Sequence, residues 1–152
     1  EDGGRPCLRF DGAGTYLELP KESLPRRGAF TLELEVKPAT DKEQCLLATR
    51  AVGQQHGLAL RIREGKLYAT YRDEDWKSVA CPTELAVPAG AWSTIRVRHD
   101  FKALTLAVNG KEESFPVALP AYNIGFTIIG EGWKGAWFAG DLRRLRIVHN
   151  AE

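Results

Sequence analysis

The chain has 152 residues, with 21 Lys and Arg against 20 Asp and Glu and a formal net charge of +1. That near balance argues against a dedicated nucleic-acid surface, and no apolar run approaches the length, about 18 residues, of a membrane-crossing helix. A single domain of this size buries about 68–70% of its unfolded surface, so it needs neither a disulfide nor a metal simply to fold. Met is absent and the chain opens Glu1-Asp2-Gly3-Gly4, which suggests a single domain, residues 1–152, excised from a larger multidomain protein. No signal peptide is recognisable within it.

In chain order, Cys7 to Pro20 contains two short apolar runs around a glycine turn, with Leu8 and Phe10 in one and Leu17 and Leu19 in the other. Lys21 to Gly28 is a polar loop. Ala29 to Lys37 alternates strictly: Phe30, Leu32, Leu34 and Val36 point inward, and Thr31, Glu33, Glu35 and Lys37 point outward. Pro38 ends the strand because proline cannot donate to a ladder. A short apolar strand follows from Cys45 to Arg50, then a loop to His56.

Gly57 to Tyr71 is a predicted hairpin that turns at Glu64-Gly65, with Leu58, Leu60, Ile62, Leu67, Ala69 and Tyr71 on its apolar side. Asp73 to Lys77 (DEDWK) is too charged for a core strand and marks a loop tip carrying Trp76. Ser78 to Val87 is a further strand, limited by Pro82 and Pro88. Ile95, Val97, His99 and Phe101 share one phase of the next run, and Leu104, Leu106 and Val108 share one phase of the run after it. Asn109-Gly110 tolerates positive φ and closes a tight turn. Ser114 to Leu119 has edge-strand character, Ile124 to Gly130 is a buried strand, and Glu131 to Ala136 is a glycine-rich loop holding Trp133. Trp137 to Asn150 is a long last strand whose phase breaks at Arg143-Arg144, the mark of a β-bulge.

No segment has a helical period. About a dozen short strands with turn signals at about 8–12-residue spacing indicate an all-β sandwich or barrel. Two stacked antiparallel sheets about 10 Å apart are the economical solution.

The order of phrases LRFDGAGTYLELP, FTLELEVKP, GLALRI…GKLYATY, AGAWSTIRVRHD, LTLAVNGK and FAGDLRRLRIV resembles the laminin-G-like, concanavalin-A-like jelly-roll domains from Leu8 to Val148. The resemblance implies two curved antiparallel sheets with variable rim loops. It also implies a non-catalytic, carbohydrate-binding accessory module of a secreted glycan-degrading enzyme such as a sialidase, with a secreted, periplasmic or cell-surface location. Family members often close with an acidic pair where this chain has Arg143 and Arg144. The Glu-x-Asp-x-x-Glu string of the family's glucanases is absent, since Glu33 and Glu35 are followed by Lys37 and Pro38. The chain itself is therefore expected not to be an enzyme.

Several residues remain as candidates for chemistry. Glu33 and Glu35 share a face about 7 Å apart, a spacing an inverting glycosidase can use, but Arg96, Arg98 and Arg146 on neighbouring outward phases favour a cross-strand charge ladder. His99 is inward and expected in the core. Asp11 and Asp141 match the positions at which the family holds a structural calcium ion, which needs 6–8 oxygens; a turn cap by Asp11 is the competing reading. Cys7, Cys45 and Cys81 fit no zinc or redox spacing; buried free thiols are favoured, with one Cys45–Cys81 or Cys7–Cys81 bridge left open.

The expected ligand site combines Trp76 and Trp133, in loops where burial is least favoured, with the loop from Arg50 to His56. Outward Tyr68, Arg61, Arg63 and Arg72 complete it, since guanidinium forks suit an acidic sugar. Trp92 is expected to be structural. The expected partners are a glycan and a parent catalytic domain. The alternative reading is a structural or protein-interaction domain that packs on its parent.

Overall fold

The computed structural model describes residues 4–25, 28–50, 56–72, 77–117, 126–131 and 135–150, with backbone only at residues 50, 56 and 126. Twelve strands are found among them: β1 (Leu8–Asp11), β2 (Leu17–Leu19), β3 (Phe30–Pro38), β4 (Gln44–Arg50), β5 (His56–Arg63), β6 (Lys66–Arg72), β7 (Ser78–Ala86), β8 (Ser93–His99), β9 (Ala103–Val108), β10 (Lys111–Pro116), β11 (Phe126–Ile129) and β12 (Ala139–His149). They form two six-stranded antiparallel sheets. The first has the order β1-β12-β3-β8-β9-β10 and the second β2-β11-β4-β5-β6-β7. The expected two-layer antiparallel sandwich is therefore the observed fold.

The period-two alternation generates the interior. Phe30, Leu32, Leu34 and Val36 of β3 are each at most 1% exposed, and so are Ile95 and Val97 of β8 and Leu104 and Leu106 of β9. Leu58, Leu60 and Ile62 of β5 and Leu67, Ala69 and Tyr71 of β6 are fully buried from the second sheet, and both sets belong to one continuous apolar cluster. Each such large side chain contributes about 1.5–3 kcal/mol by leaving water. His99 joins this interior between the rings of Phe30, at 5.9 Å, and Tyr71, at 6.1 Å.

Turn chemistry sets the two hairpins. Glu64 and Gly65 have φ of 52° and 71°, and Asn109 and Gly110 have φ of 52° and 85°, so both central residues of each turn are left-handed as a twisted two-residue loop requires. The bulge expected at Arg143-Arg144 is present: the pairing of β12 with β3 shifts register between Leu142 and Arg144. The sandwich is tied at its β7–β10 side by Glu84, whose backbone N–H donates to Glu113 Oε1 at 2.9 Å.

The two runs around the Gly12 turn belong to different layers, β1 joining the first sheet and β2 the second. Two local expectations change. Leu8 is 51% exposed while Phe10 is buried, and β1 is an edge strand of its sheet. The alternation of β8 stops at His99; Phe101 has φ of 67° and is half-buried in the turn, where the Asp100 carboxylate accepts the N–H groups of Lys102 and Ala103.

All three cysteines are free. Cys45 and Cys81 lie on strands separated by β5 and β6, about 14 Å at the usual strand spacing, too far for a disulfide. Cys7 precedes β1 and Cys81 lies on β7, strands at the margins of different sheets. Burial pushes the Cys45 and Cys81 thiols up to about 11, so both stay protonated and unreactive.

Gly140 gives a direct test of this packing. Its φ is 149°, and a Cβ there would lie 2.4 Å from the Lys37 carbonyl oxygen. Gly140→Ala is expected to lower unfolding free energy by about 2–4 kcal/mol in denaturant titrations. Gly14→Ala, with nothing within 4 Å of the new methyl, is expected to change it by less than about 0.5 kcal/mol.

Candidate functional site

Residues facing away from the core on the second sheet form two cross-strand rows. In one, Cys45 of β4 pairs with Arg61 of β5, Arg61 with Tyr68 of β6, and Tyr68 with Pro82 of β7. In the next, Ile128 of β11 pairs with Ala48, Ala48 with Ala59, Ala59 with Thr70, and Thr70 with Ala80. Cys45, Ala48 and Ala59 are at most 1% exposed and form a small cluster of their own, separate from the main core. These small side chains are covered, and the face opens beside them at Arg63, Tyr68 and Pro82.

Arg61, Arg63 and Tyr68 are brought together as the sequence suggests. The Arg63 guanidinium sits 4.9 Å from the centre of the Tyr68 ring, a cation–π contact that fixes both. Arg63 and Tyr68 line a hollow of about 190 Å³ with Pro82, Lys66 and Glu84. Arg63 also borders a larger open hollow of about 610 Å³ with Asp41, Lys42, Glu43 and Glu64. Arg72 does not join them: it lies in register with Ser78, four residues from Tyr68 and so about 13 Å along the strand. The backbones of Arg50 and His56 pair with each other at the end of the β4–β5 ladder, and their side chains fall outside the described residues. Trp76 and Trp133 also fall outside them.

Sequence reasoning missed two members of the site. Glu43 reaches both guanidiniums, 3.5 Å from Arg61 Nη1 and 3.3 Å from Arg63 Nη2. It precedes β4, so no strand periodicity marks it. Pro82 was treated only as a limit on β7, yet its register opposite Tyr68 puts a flat apolar ring in the hollow.

The first sheet's outward face holds the carboxylate pair, in a different setting. Arg143 Nε donates to Glu35 Oε2 at 2.6 Å, Arg144 lies 3.5 Å from both Glu33 and Glu35, and Arg146 lies 3.7 Å from Glu33. The charge ladder is present, but its cations come from β12. Of the expected partners on β8, Arg96 stands opposite Glu33 yet forms its ion pair with Glu112 at 3.6 Å, and Arg98 stands opposite Thr31. The bulge in β12 is the cause, because it turns both Arg143 and Arg144 toward Glu35. The Arg143 hydrogen bond holds the Glu35 carboxyl below its usual range, so Glu35 stays ionised, the wrong state for a general acid. Trp92 lies on this face, half-buried, with Arg143 4.1 Å and Lys37 5.7 Å from its ring. It is a structural stack on the outer face.

Asp11 and Asp141 are each engaged. Asp11 Oδ1 accepts the N–H groups of Ala13, Gly14 and Thr15 at 2.9–3.0 Å, and these bonds lower its pKa to about 2. Asp141 is buried and takes a bidentate contact from Arg9, at 2.8 and 3.1 Å. A guanidinium charge therefore already faces the carboxylate that would hold calcium. Among the described residues no group of three or more His, Cys, Asp or Glu can hold a metal ion. This arrangement does not fit calcium, which needs several converging oxygens.

Trp137 is half-buried and tilts against the exposed ring of Tyr16 at 6.4 Å. No helix is long and apolar enough to cross a membrane among the described residues.

The Laminin G 3 family model, described as the Concanavalin A-like lectin/glucanases superfamily, matches residues 11–151. No curated protein matches the chain. Among solved structures, the mouse laminin alpha1 chain domains LG4-5 share 19% identity at a TM-score of 0.76, covering 94% of this chain and 41% of that one. The native heptameric SAP-like pentraxin from Limulus polyphemus shares 14% identity at 0.73, covering 93% of this chain and 74% of that one. The botulinum neurotoxin serotype D binding domain shares 14% identity at 0.71, covering 94% of this chain and 38% of that one. These likenesses concern the fold, and the chain spans well under half of the laminin and toxin chains. The chain belongs to the concanavalin A-like lectin/glucanases superfamily.

Two outcomes follow from these ion pairs. Glu35→Gln is expected to cost about 1 kcal/mol at neutral pH. A depressed pKa gives stability that is fully present above the ordinary carboxylate range and lost as pH falls below it through the lowered folded-state value, so variant and wild type should converge in acid denaturation curves. Added Ca²⁺ or EDTA is expected to leave the melting temperature unchanged; a rise with Ca²⁺ would contradict the reading of Asp11 as a turn cap and Asp141 as the partner of Arg9.

Proposed function

We propose that this member of the superfamily is a non-catalytic carbohydrate-binding module of a larger secreted glycan-degrading protein, taking its ligand on the outward face of the second sheet. The observation that carries the reading is the Arg61–Tyr68–Pro82 row with Arg63 braced on the Tyr68 ring. A pyranose presents C–H groups on one face and hydroxyls at its rim. Pro82 and Tyr68 offer apolar surface to the first, and guanidinium forks offer planar donors to the second. Beside that row Cys45, Ala48 and Ala59 are sealed from solvent, so contact falls to Tyr68, Pro82 and the arginines. A shallow site of this kind gives weak affinity, because little area is buried and each hydroxyl gives up water for its new bond.

The non-catalytic part of the proposal draws support from Glu33 and Glu35, which are balanced by arginines and not poised for proton transfer. The lectin-like fold, shared with a toxin domain titled a binding domain, agrees with a binding role. A second reading, a domain that packs on its parent chain, is favoured by the exposure of Leu8 and Tyr16, at 51% and 52%. Leu8 borders an apolar groove of about 230 Å³ with Pro6, Cys7 and Leu17.

A glycan array separates the two. Binding is expected to at least one polysaccharide class, and Tyr68→Ala should weaken it about tenfold through loss of ring contact while leaving the melting temperature near the wild-type value. A silent array would overturn the proposal in favour of the packing role, and full binding by Tyr68→Ala would overturn the placement of the site on the second sheet.

A further inference from the structure

Arg61 and Arg63 share the Glu43 carboxylate, and they hold it loosely. Glu43 stands 3.3–3.5 Å from their nitrogens, against about 2.7–2.9 Å for a strong guanidinium–carboxylate bond. The same molecule shows what a committed pair looks like, since Arg143 and Glu35 meet at 2.6 Å with side chains 23% and 14% exposed. Glu43 is 42% exposed and lies outside the strands, just before β4.

Arg61 is the more enclosed of its two partners. Arg61 is only 21% exposed, is fixed in mid-strand opposite Tyr68, and has a buried Nε with no hydrogen-bond partner among the described residues. Its guanidinium has therefore lost much of its water without full replacement, which leaves it able to gain from a better-placed anion. Arg63 is 48% exposed but leans on the Tyr68 ring. Two cations positioned by the sheet and one carboxylate held at long range form an exchange site.

We infer that Glu43 is an intramolecular stand-in for the carboxylate of an acidic sugar, displaced when a uronic- or sialic-type residue binds between Arg61 and Arg63; this rests on the glycan-binding reading above. The neighbourhood explains why exchange, and not simple addition, is required. Asp41 and Glu64 line the same hollow as Glu43, so an incoming anion meets negative charge. Swapping one carboxylate for another leaves the charge between the two arginines unchanged. The swap also gives the selectivity. A neutral sugar cannot replace Glu43, and an acidic one replaces it while its ring lies toward Tyr68 and Pro82.

The test uses D-glucuronate and its uncharged methyl ester as probes, read by NMR titration of the Arg Nε–H signals in the wild-type chain and in Glu43→Gln. Glucuronate is expected to move the Arg61 and Arg63 signals, the ester is expected not to, and Glu43→Gln should bind glucuronate about threefold or more tightly because an exposed competing ion pair is gone. Arg63→Gln should abolish the response while its melting temperature stays near wild type. Equal or weaker binding by Glu43→Gln, an equal response to the ester, or no movement of either arginine would each overturn the inference. Neutral-glycan binding on the array alongside any of these would overturn the exchange and leave the broader reading standing, whereas a silent array together with no glucuronate response would overturn both.

Discussion

The burial of every second side chain between two sheets is the constraint on which the rest depends. β3 makes the point within nine residues: Phe30, Leu32, Leu34 and Val36 are sealed inside, and Thr31, Glu33, Glu35 and Lys37 are left on the other face. Because the period is two, a slip of one residue would bring three charges into the core, so register is strongly specified. The outward faces inherit their order from the inward ones. Arg61 meets Tyr68, and Glu33 meets Arg146, because Leu60, Ala69, Leu34 and Leu145 must face the interior.

The two outward faces nevertheless differ in kind. On the first sheet, cations and carboxylates are spent on one another: Arg143 on Glu35, Arg144 and Arg146 on Glu33, Arg9 on Asp141, with Trp92 stacked under Arg143. Such a surface stabilises the sheet and offers little to a ligand. On the second sheet a loosely balanced pair of arginines and an aromatic ring stand beside the covered Cys45, Ala48 and Ala59. A binding surface needs groups that gain more from a ligand than they lose, and the proposed site rests on that property of the second face.

The fold was legible because its signals are local. Alternation, Glu64-Gly65, Asn109-Gly110 and the phase break at Arg143-Arg144 each act over a few residues, and each is found where the sequence puts it. What was not legible depends on long-range pairing. The partners of Glu33 and Glu35 sit more than a hundred positions away on β12, and only the sheet order shows that β12 adds Arg143 and Arg144 beside them. Likewise Arg9 meets Asp141 only because the chain's first and last strands pair. The outward cluster of Arg61, Arg63 and Tyr68 followed from phase within one hairpin, while Glu43 and Pro82 joined it from segments with no pattern of their own.

The central claim, that the outward face of the second sheet is the surface used for recognition, is tested most directly by mapping backbone amide shifts while the tightest-binding oligosaccharide from an array is titrated in. The account predicts changes concentrated on β5, β6 and β7 around Arg61, Tyr68 and Pro82, with the β12–β3–β8 face silent. Changes centred on Glu33, Glu35 and Arg146, or on the Leu8 and Tyr16 edge, would contradict it.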